Sequence, residues 1–429
     1  MRAMSELGES PLAAGERSIS VADARAAIAA ALRPIVEHET VPLLQATGRV
    51  LAADVISPID VPAHDNSAMD GYAFDGAALA AGGDTVLRNA GIVYAGTPYP
   101  GGRIASGECL RIMTGAVMPE GLDTVMPQEL CRVEGDTVHI APGVIKPGEN
   151  RRRRGEDLAL GKPAVRTGRV LRPADIGLVA SLGIGSVTVF RRLRVALFST
   201  GDEIRTLGQP LDPGCVYDSN RYSLQAALQR LGMEVIDLGL VRDDPATLQQ
   251  TLEAAVAQAD VVLTSGGVSV GDADHTRAVL ARMGEVSFWK VAMRPGRPFA
   301  FGPLSRGERS PPSWLFALPG NPVAALVTFY AFARQALLQL AGAPPTPLPL
   351  LQARCTAPIR KRPGRTEFQR AIVEPASEGG GWQVRLTGSQ GAGVLRSMSE
   401  ANALLVLRHE QGSVAAGELV DCWLFDGLV

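Results

Sequence analysis

The sequence predicts a multidomain α/β protein with a central three-layer domain on a parallel sheet, an inserted small β domain, a linker domain of helices and strands, and a C-terminal β barrel. Strand and helix signals alternate from Arg194 to about Gly342, which indicates a parallel sheet with right-handed crossovers. Short β-rich runs separated by glycine turns fill the stretch from about Ser67 to Pro147. Four prolines within residues 344–349 then form a stiff linker to further strand signals, which predict a small β barrel or sandwich.

Helix signals on both sides of the β-rich stretch indicate that it is an insertion. Ser20 caps a first helix that stops near Pro34, and another helix runs from Arg172 to Leu182. The predicted domains are a discontinuous N-terminal domain (1–45 with 150–192), the inserted β domain (46–149), the α/β domain (193–343) and the barrel (344–429).

Composition and charge exclude several classes of protein. The 42 basic and 44 acidic residues give a formal net charge of −2, which argues against nucleic acid as the main partner. The five cysteines show no Cys-x-x-Cys spacing, so neither a zinc knuckle nor a disulfide framework is predicted. The N-terminal segment lacks the apolar core of a signal peptide, and no run of roughly 18 apolar residues occurs. We therefore expect a cytoplasmic protein without a membrane partner.

The stretch from Asp260 to His275 changes abruptly from a buried strand to a polar, glycine-rich loop. The carboxyl end of such a strand is where open α/β sheets bind ligands, and hydroxyl and backbone N–H groups there suit a phosphate. The groups that follow the strand are Thr264, Ser265, Gly266 and Gly267, and then Asp272 and Asp274 before a helix. An ordinary tight turn with capping aspartates is the equally weighted alternative. The P-loop and dinucleotide fingerprints are both absent from the sequence.

Three further acidic positions suggest a metal site. Glu203, Asp243 and Asp274 lie in loops predicted at strand ends, where carboxylate oxygens could gather around Mg²⁺. An isolated carboxylate is more often a solvated charge or a helix cap, so this alternative stays open, and Asp274 is the strongest candidate. Asp70 and Thr114 each precede a glycine, so turn chemistry is the alternative to a site role for both.

Several short motifs occur in a fixed order along the chain. They are Asp65-Asn-Ser-Ala-Met-Asp-Gly-Tyr, Thr114-Gly-Ala, Gly155-Glu-Asp, Ser199-Thr-Gly-Asp-Glu, Asp218-Ser-Asn, Thr264-Ser-Gly-Gly-Val-Ser-Val-Gly-Asp, Lys290 with Arg294-Pro-Gly-Arg-Pro, and Leu318-Pro-Gly-Asn-Pro-Val. Each motif is weak alone, but together they are specific. From about Ser20 onward the chain resembles the molybdopterin molybdotransferases, the MoeA-type molybdenum-insertion enzymes that include the E domain of gephyrin.

The resemblance implies a reaction and an assembly. It implies Mg²⁺-dependent hydrolysis of adenylylated molybdopterin, coupled to insertion of molybdate into the dithiolene. It also implies a homodimer of elongated, four-domain subunits, with the active site between the α/β domain of one subunit and the β domain of the other. A molybdopterin adenylyltransferase and maturation factors for molybdoenzymes are the other expected partners.

The resemblance also assigns residues to roles. The expected catalytic residues are Asp274, Glu203, Asp243, Asp70, Thr114 and Asp157, of which the first three are the expected Mg²⁺ ligands. The expected contacts to the molybdopterin substrate are Ser199, Thr200, Gly201, Asp218, Asn220, Thr264, Ser265, Gly266, Gly267, Ser269, Gly271, Asp272, Pro319, Gly320 and Asn321. Molybdate is expected to bind Lys290, Arg294, Arg297 and Arg370.

Two positions depart from the family pattern. Many relatives have Lys-Pro-Gly-Lys-Pro where this chain has Arg294-Pro-Gly-Arg297-Pro, and arginine keeps the charge while presenting a planar fork of donors. Ala392 stands where relatives often have serine, so one molybdate donor is expected to be missing. This change should affect molybdate affinity more than activity.

Two other functions remain open at this stage. A molybdopterin adenylyltransferase shares the α/β domain and its Ser-Gly-Gly loop, although such enzymes can consist of little more than that domain. A non-catalytic scaffold is the second alternative, since gephyrin also anchors receptors. The absence of a long linker or an additional N-terminal domain argues against the scaffold.

Overall fold

A computed structural model describes residues 18–267, 273–307, 310–376 and 379–427 of the chain. The described helices are α1 (Val21–Ala31), α2 (Pro173–Ser181), α3 (Ser219–Arg230), α4 (Pro245–Gln258), α5 (Ala273–Met283), α6 (Pro322–Thr328), α7 (Arg334–Leu340) and α8 (Arg396–Glu400). A π-helical segment, Phe329–Ala333, joins α6 to α7.

The described strands follow one another as β1 (His38–Pro42), β2 (Val55–Ile56), β3 (Asn66–Ser67), β4 (Gly71–Phe74), β5 (Thr85–Val93), β6 (Glu108–Ile112), β7 (Thr124–Pro127), β8 (Arg132–Glu134), β9 (Thr137–Ile140), β10 (Arg151–Arg152), β11 (Pro163–Val165), β12 (Ser186–Phe190), β13 (Arg194–Thr200), β14 (Ile204–Arg205), β15 (Val216–Tyr217), β16 (Glu234–Val241), β17 (Val261–Ser265), β18 (Ser287–Lys290), β19 (Met293–Arg294), β20 (Pro298–Leu304), β21 (Ser313–Leu318), β22 (Leu351–Cys355), β23 (Thr366–Pro375), β24 (Trp382–Leu386), β25 (Ala403–Leu407) and β26 (Leu419–Leu424).

The N-terminal part of the chain pairs with segments that follow the β-rich stretch. Strand β1 runs antiparallel to β12, while β2 pairs with β11 and β3 with β10. Between these pairings lies a sheet of order β7-β4-β6-β5-β9-β8, in which only β5 and β6 are parallel. Tyr72 and Phe74 pack in one core of this sheet, while Ala73 packs in another, because successive side chains of a strand point to opposite faces.

The α/β sheet has the order β16-β13-β17-β21-β20-β18. Its first four strands are parallel, but β20 runs antiparallel to both β21 and β18. The prediction of a parallel sheet was therefore wrong for one strand, β20, and so for both of its pairings. The physical reason is the connection from β20 to β21, residues 305–312, which is too short for the crossover that parallel strands need.

Alternate residues of the central strand β13 contact helices on opposite faces of the sheet. Val195 and Leu197 belong to a core that includes Leu224 of α3 and Val323 of α6. The intervening residues Ala196 and Phe198 belong to another core, with Leu252 and Val256 of α4 and with Val279 and Leu280 of α5. The carboxyl ends of the parallel strands are left for the loops that form the site.

Helices α6 and α7 and the π segment form one 19-residue apolar span, Pro322–Leu340. Its mean hydropathy is 1.4, so by length and composition this described helix could cross a membrane. However, 67% of its apolar window is buried inside the molecule, as in a core helix. Arg25 of α1 donates from Nε to the Ala331 carbonyl at 2.9 Å, and its guanidinium lies 5.0 Å from the ring centre of Trp423. Arg25 therefore contacts both the apolar span and Trp423 of the C-terminal region.

The C-terminal strands close into the predicted barrel. Strands β23, β24, β22, β26 and β25 follow one another, and β25 pairs again with β23 to complete a five-stranded barrel. Strand β19, which precedes the barrel in the chain, adds to β23 in parallel with Met293 opposite Thr366 and Arg294 opposite Glu367. This pairing joins the barrel to the α/β region.

Candidate active site

A cleft of about 1090 Å³ lies at the carboxyl ends of the parallel strands, between the α/β sheet and the barrel. It collects loops that are far apart in the sequence, those after β13, β17 and β21, together with residues 293–298. The predicted site residues that line it are Thr200, Gly201, Glu203, Asp218, Asn220, Asp243, Gly266, Gly267, Arg294, Arg297, Pro319, Gly320 and Asn321. The topological rule for α/β sheets thus locates this cavity.

Glycine is required in the loop after β17 because the neighbouring loop lies against it. Gly266 has a φ of +96°, and a Cβ there would approach the Thr200 carbonyl oxygen to 2.4 Å. Its backbone N–H donates to the Leu318 carbonyl at 3.0 Å. Gly266 therefore packs the three strand-end loops against one another, and Gly267, with a φ of +70°, continues the turn into the cleft.

Asn220 holds these loops together from the start of α3. Its side-chain amide donates to Ser265 Oγ and to the Gly320 carbonyl, each at 2.6 Å. Ser199 and Ser265 are 0% and 1% exposed, so both hydroxyls lie beneath the cleft lining rather than on it. Ser199 Oγ donates to Asp218 Oδ1 at 3.0 Å. Ser199 and Ser265, which were predicted to contact the substrate, are therefore hydrogen-bonded to protein groups beneath the cleft.

A buried ion network that the sequence analysis missed supports the same helix. Asp218 accepts hydrogen bonds from the Arg221 backbone N–H at 3.1 Å and from Arg221 Nε at 3.0 Å. Nη1 of Arg221 also bonds Asp237 of β16. Burial disfavours the charged guanidinium, but these carboxylates outweigh it and raise the pKa of Arg221. The i,i+3 spacing of Asp218 and Arg221 was the only sequence signal, and nothing local pointed to Asp237.

The acidic candidates fall into two groups. Glu203 and Asp243 are exposed and line the cleft. The side chain of Asp274, in the first turn of α5, lies outside the described part of the structure, as do Ser269, Gly271 and Asp272. Within the described part, no group of three His, Cys, Asp or Glu side chains is arranged to hold a metal ion. The metal site therefore remains a prediction.

Asp70 and Thr114 are brought together in the inserted sheet region, away from the cleft. The Thr114 backbone N–H and hydroxyl donate to Asp70 Oδ1 at 2.7 and 2.6 Å. These two bonds lower the pKa of the Asp70 carboxyl. Asp157 is also exposed, and its backbone N–H donates to the Val61 carbonyl at 3.0 Å. None of these three residues is among those that line the cleft.

Three of the four predicted molybdate-binding residues line two cavities that share Arg294. Arg294 and Arg297 are exposed in the cleft, on a loop that Gly296 anchors to α6, because a Cβ on Gly296 would lie 2.3 Å from Thr328 Oγ1. Arg294 also lines a second cavity of about 230 Å³ in the barrel, together with Arg370. Lys290 lies at the end of β18, where its carbonyl accepts a hydrogen bond from Ser18 Oγ at 2.7 Å, and it is not among the residues lining either cavity.

Arg370 is fully buried and bonded within the barrel. Nε donates to Ser397 Oγ at 3.0 Å, and Nη2 donates to the carbonyls of Ser389 and Gly391 at 3.2 and 3.0 Å. Burial, with the nearby charge of Arg294, lowers the pKa of Arg370 to about 10. The Arg370 donors thus also fix the 389–391 loop. The next residue, Ala392, accepts a hydrogen bond at its carbonyl from the Val323 N–H at 3.0 Å.

The barrel contributes a cleft residue that was not singled out from the sequence. Arg365 lines the cleft and donates from Nε to Glu367 Oε1 at 2.8 Å, and Glu367 is only 3% exposed. Gln369 donates to the other oxygen of the same carboxylate at 2.9 Å. Arg365 directly precedes β23 and alternates with Glu367 and Gln369, and this spacing was the signal available in the sequence.

Comparison with known proteins gives matches over successive parts of the chain. Residues 19–183 match the MoeA N-terminal region (domains I and II), residues 196–339 a probable molybdopterin binding domain, and residues 352–425 the MoeA C-terminal region (domain IV). The chain is 42% identical to molybdopterin molybdenumtransferase of Haemophilus influenzae, over 92% of this chain and 95% of the relative. It is 37% identical to molybdopterin molybdenumtransferase 2 of Mycobacterium tuberculosis, over 92% of this chain and 95% of that protein.

A solved structure agrees with these matches. The molybdopterin biosynthesis moeA protein of Pyrococcus horikoshii superposes with a TM-score of 0.80 at 28% identity, covering 95% of this chain and 100% of that one. Together with the family matches, this agreement confirms the resemblance read from the motifs. The chain belongs to the MoeA family of molybdopterin molybdenumtransferases.

Proposed function

We propose that this enzyme of molybdenum cofactor biosynthesis inserts molybdate into adenylylated molybdopterin, in a Mg²⁺-dependent reaction that releases AMP. The observation that carries the proposal is the composition of the cleft. Glycine-rich strand ends, the carboxylates Glu203 and Asp243, and the guanidinium groups of Arg294 and Arg297 all line one cavity. A reaction that joins a phosphoanhydride, a divalent cation and an oxyanion requires these three kinds of group.

The strand-end loops bind the phosphate part of the substrate. Gly201, Gly267 and Gly320 line the cleft without side chains, so backbone N–H groups can approach a phosphate closely. Asn220 acts on this wall by holding the loops after β17 and β21 in register. Binding therefore depends on a surface that is organised before the substrate arrives.

The carboxylates that line the cleft have donor chemistry that suits Mg²⁺. Glu203 and Asp243 supply hard carboxylate oxygens, and Asp274, at the start of α5, is the third proposed ligand. A bound Mg²⁺ neutralises negative charge on phosphoanhydride oxygens. The carboxylates would hold this cation beside the strand-end loops.

Molybdate is held by the basic side of the cleft. Arg294 lines both the cleft and the smaller barrel cavity, and Arg297 and Arg370 each line one of them. Guanidinium groups form short, directional hydrogen bonds to oxyanions. Lys290 is the fourth proposed donor. Ala392 lines the cleft without a hydroxyl, which is the basis for a weakened molybdate site.

The remaining proposals concern assembly. Asp70, Thr114 and Asp157 act in the cleft of a second subunit of a cytoplasmic homodimer, since they do not line the cleft of their own chain. The division into domains at residues 1–45 with 150–192, 46–149, 193–343 and 344–429 describes the modules of that subunit. An adenylyltransferase supplies the adenylylated substrate, and maturation factors receive the product.

The deciding experiment measures AMP release from adenylylated molybdopterin with and without molybdate. Release of AMP together with active cofactor, and only when Mg²⁺ is present, is the expected result. Consumption of ATP with free molybdopterin would instead identify an adenylyltransferase. A chain that turns over neither compound but captures a stoichiometric protein ligand would be a scaffold.

A further inference from the structure

The cleft contains one aromatic side chain among the described residues that line it, Tyr217. The other lining residues are glycines, prolines, small aliphatic residues, polar residues and charged residues. A substrate with a fused heterocycle has a flat face that is poorly hydrated and gains free energy when it covers an apolar ring. Tyr217 is therefore the lining residue best suited to such a face.

The ring of Tyr217 is fixed at both ends. Its backbone belongs to β15, which pairs with β14 so that Arg205 lies opposite Tyr217. Its phenolic O–H donates to the Gln209 carbonyl at 2.9 Å, while the side chain remains 42% exposed. A ring that is exposed and yet anchored loses little conformational entropy when it is covered. Exposure alone would fit a loose surface tyrosine, but the anchored hydroxyl orients this one.

The position of Tyr217 connects it to the groups that organise the phosphate wall. The next residue, Asp218, caps α3, and its backbone N–H donates to the Arg205 carbonyl at 3.0 Å. Asn220, two residues further on, bridges Ser265 and Gly320. The strand that carries the ring is thus continuous with the helix start that positions the loops proposed to bind phosphate.

We propose that Tyr217 is a stacking platform for a fused heteroaromatic ring of the substrate, which is either the adenine or the pterin. This inference rests on the proposed function and adds a specificity contact to it. The phenolic oxygen serves to orient the ring through Gln209, and the face of the ring makes the contact. Removing the ring should weaken binding of one of the two heterocycles, whereas removing only the hydroxyl should have a small effect.

The test compares Tyr217→Leu, Tyr217→Phe and the control Tyr222→Leu. Tyr222 is equally exposed at 42% but lies in α3 and does not line the cleft, so its variant controls for the loss of an exposed tyrosine ring outside the cleft. Affinities for AMP and for unsubstituted pterin are measured by calorimetry with the full-length protein. Thermal unfolding of each variant shows whether it is folded.

We expect Tyr217→Leu to weaken binding of one probe by roughly 5- to 100-fold, the usual range for loss of one stacked base. Loss of AMP binding identifies adenine, and loss of pterin binding identifies the pterin. Tyr217→Phe and Tyr222→Leu should both stay within about twofold of the parent, since neither removes the stacked ring. Unchanged affinity for both probes in folded Tyr217→Leu would overturn the proposal. So would dissociation of a dimer by Tyr217→Leu without loss of probe binding, because the ring would then belong to a subunit contact.

The proposed function can fail separately. If the parent protein binds a probe through Tyr217 but releases no AMP from adenylylated molybdopterin, the stacking site stands and the reaction assignment falls. If AMP is released at the same rate by the parent and by Tyr217→Leu at subsaturating substrate, the reaction stands and the stacking site falls.

Discussion

The two walls of the cleft are built on different principles. The strand-end wall is held by buried neutral hydrogen bonds, with Asn220 bridging Ser265 and Gly320. The basic wall presents exposed arginines on the 293–298 loop, which is fixed by Gly296 against α6 and by strand pairing to the barrel. One wall supplies shape and the other supplies charge. The comparison suggests that substitutions in the first should affect binding of the pterin nucleotide, and substitutions in the second should affect the molybdate requirement.

The largest expected effect belongs to a residue on neither wall. Asp274→Ala should abolish turnover while adenylylated molybdopterin still binds, because the carboxylate is proposed to hold Mg²⁺ rather than the pterin. Single-turnover AMP release and equilibrium binding are the two measurements, and Asp274→Asn, which keeps the size of the side chain, is the companion variant. Near-normal turnover in the alanine variant would remove Asp274 from the metal site.

Variants of the basic residues should change the molybdate requirement. Arg297→Ala and Arg370→Ala should each raise the molybdate concentration needed for half-maximal rate about tenfold or more, since a charge-assisted hydrogen bond contributes roughly 1.5–3 kcal/mol. Arg370→Ala should in addition lower stability, because it leaves the carbonyls of Ser389 and Gly391 without their buried donor. Ala392→Ser should lower the requirement.

The control for this series is Arg396→Ala. Its side chain is 87% exposed and pairs with Glu400, so its loss should change neither the molybdate requirement nor stability appreciably. If the Arg297 and Arg370 variants both behaved like this control, the oxyanion site would lie elsewhere and the assignment of molybdate binding to these residues would be wrong.

The strand-end wall should respond through nucleotide binding. Asn220→Ala removes two hydrogen bonds of 2.6 Å from a residue that is 8% exposed. We expect the free energy of unfolding to fall by about 1–3 kcal/mol and AMP affinity to fall with it. Urea denaturation and calorimetry measure the two quantities. An unchanged AMP affinity in a destabilised variant would mean that this wall does not need Asn220 to keep its shape for binding.

The smallest expected effect lies outside both walls. Thr114→Val removes the hydroxyl bond to Asp70 but keeps the backbone bond, so the pKa of the Asp70 carboxyl should rise partway towards its usual value. A carboxyl with a depressed pKa stabilises the fold above its unfolded pKa of 3.8, and this contribution is lost as pH falls through the folded value. The variant should therefore lose it at a higher pH than the parent.

Carboxyl NMR titration of Asp70 measures this pKa shift directly. An Asp70 pKa identical in both proteins would show that the backbone N–H of Thr114 alone sets it. Turnover measured on mixed dimers of Thr114→Val and parent subunits would separately test whether this pair acts in a neighbouring subunit.

The features that sequence reasoning located were local ones. Gly266 and Gly267 directly follow the buried strand β17, and the rule for parallel sheets locates the cleft at its carboxyl end without any long-range information. The barrel was predictable because several short strand signals follow a proline linker. In contrast, the antiparallel β20 could not be distinguished from a parallel strand, since a short buried strand has the same composition in either direction.

The site was predicted less well where burial decides the role of a residue. The hydroxyls of Ser199 and Ser265 look identical in sequence whether they contact a ligand or another side chain, and only the structure shows them 0% and 1% exposed. Arg365 and Asp237 were missed because each acts through a partner in the folded chain, Glu367 and Arg221 respectively. Such pairings depend on how strands meet, which no local motif encodes.

The addition of β19 to the barrel has a consequence for how the protein can be taken apart. Thr366 donates its N–H to the Ala292 carbonyl at 2.9 Å. Strand β23 of the barrel therefore forms backbone hydrogen bonds with the segment that leads into Arg294 and Arg297. The barrel is therefore not an exchangeable module attached by a linker. A chain ending at the proline linker would keep every strand of the α/β sheet. It would nevertheless lose the strand that pairs with the loop carrying Arg294 and Arg297. Swapping barrels between homologues should likewise transplant part of the geometry of anion recognition along with the barrel.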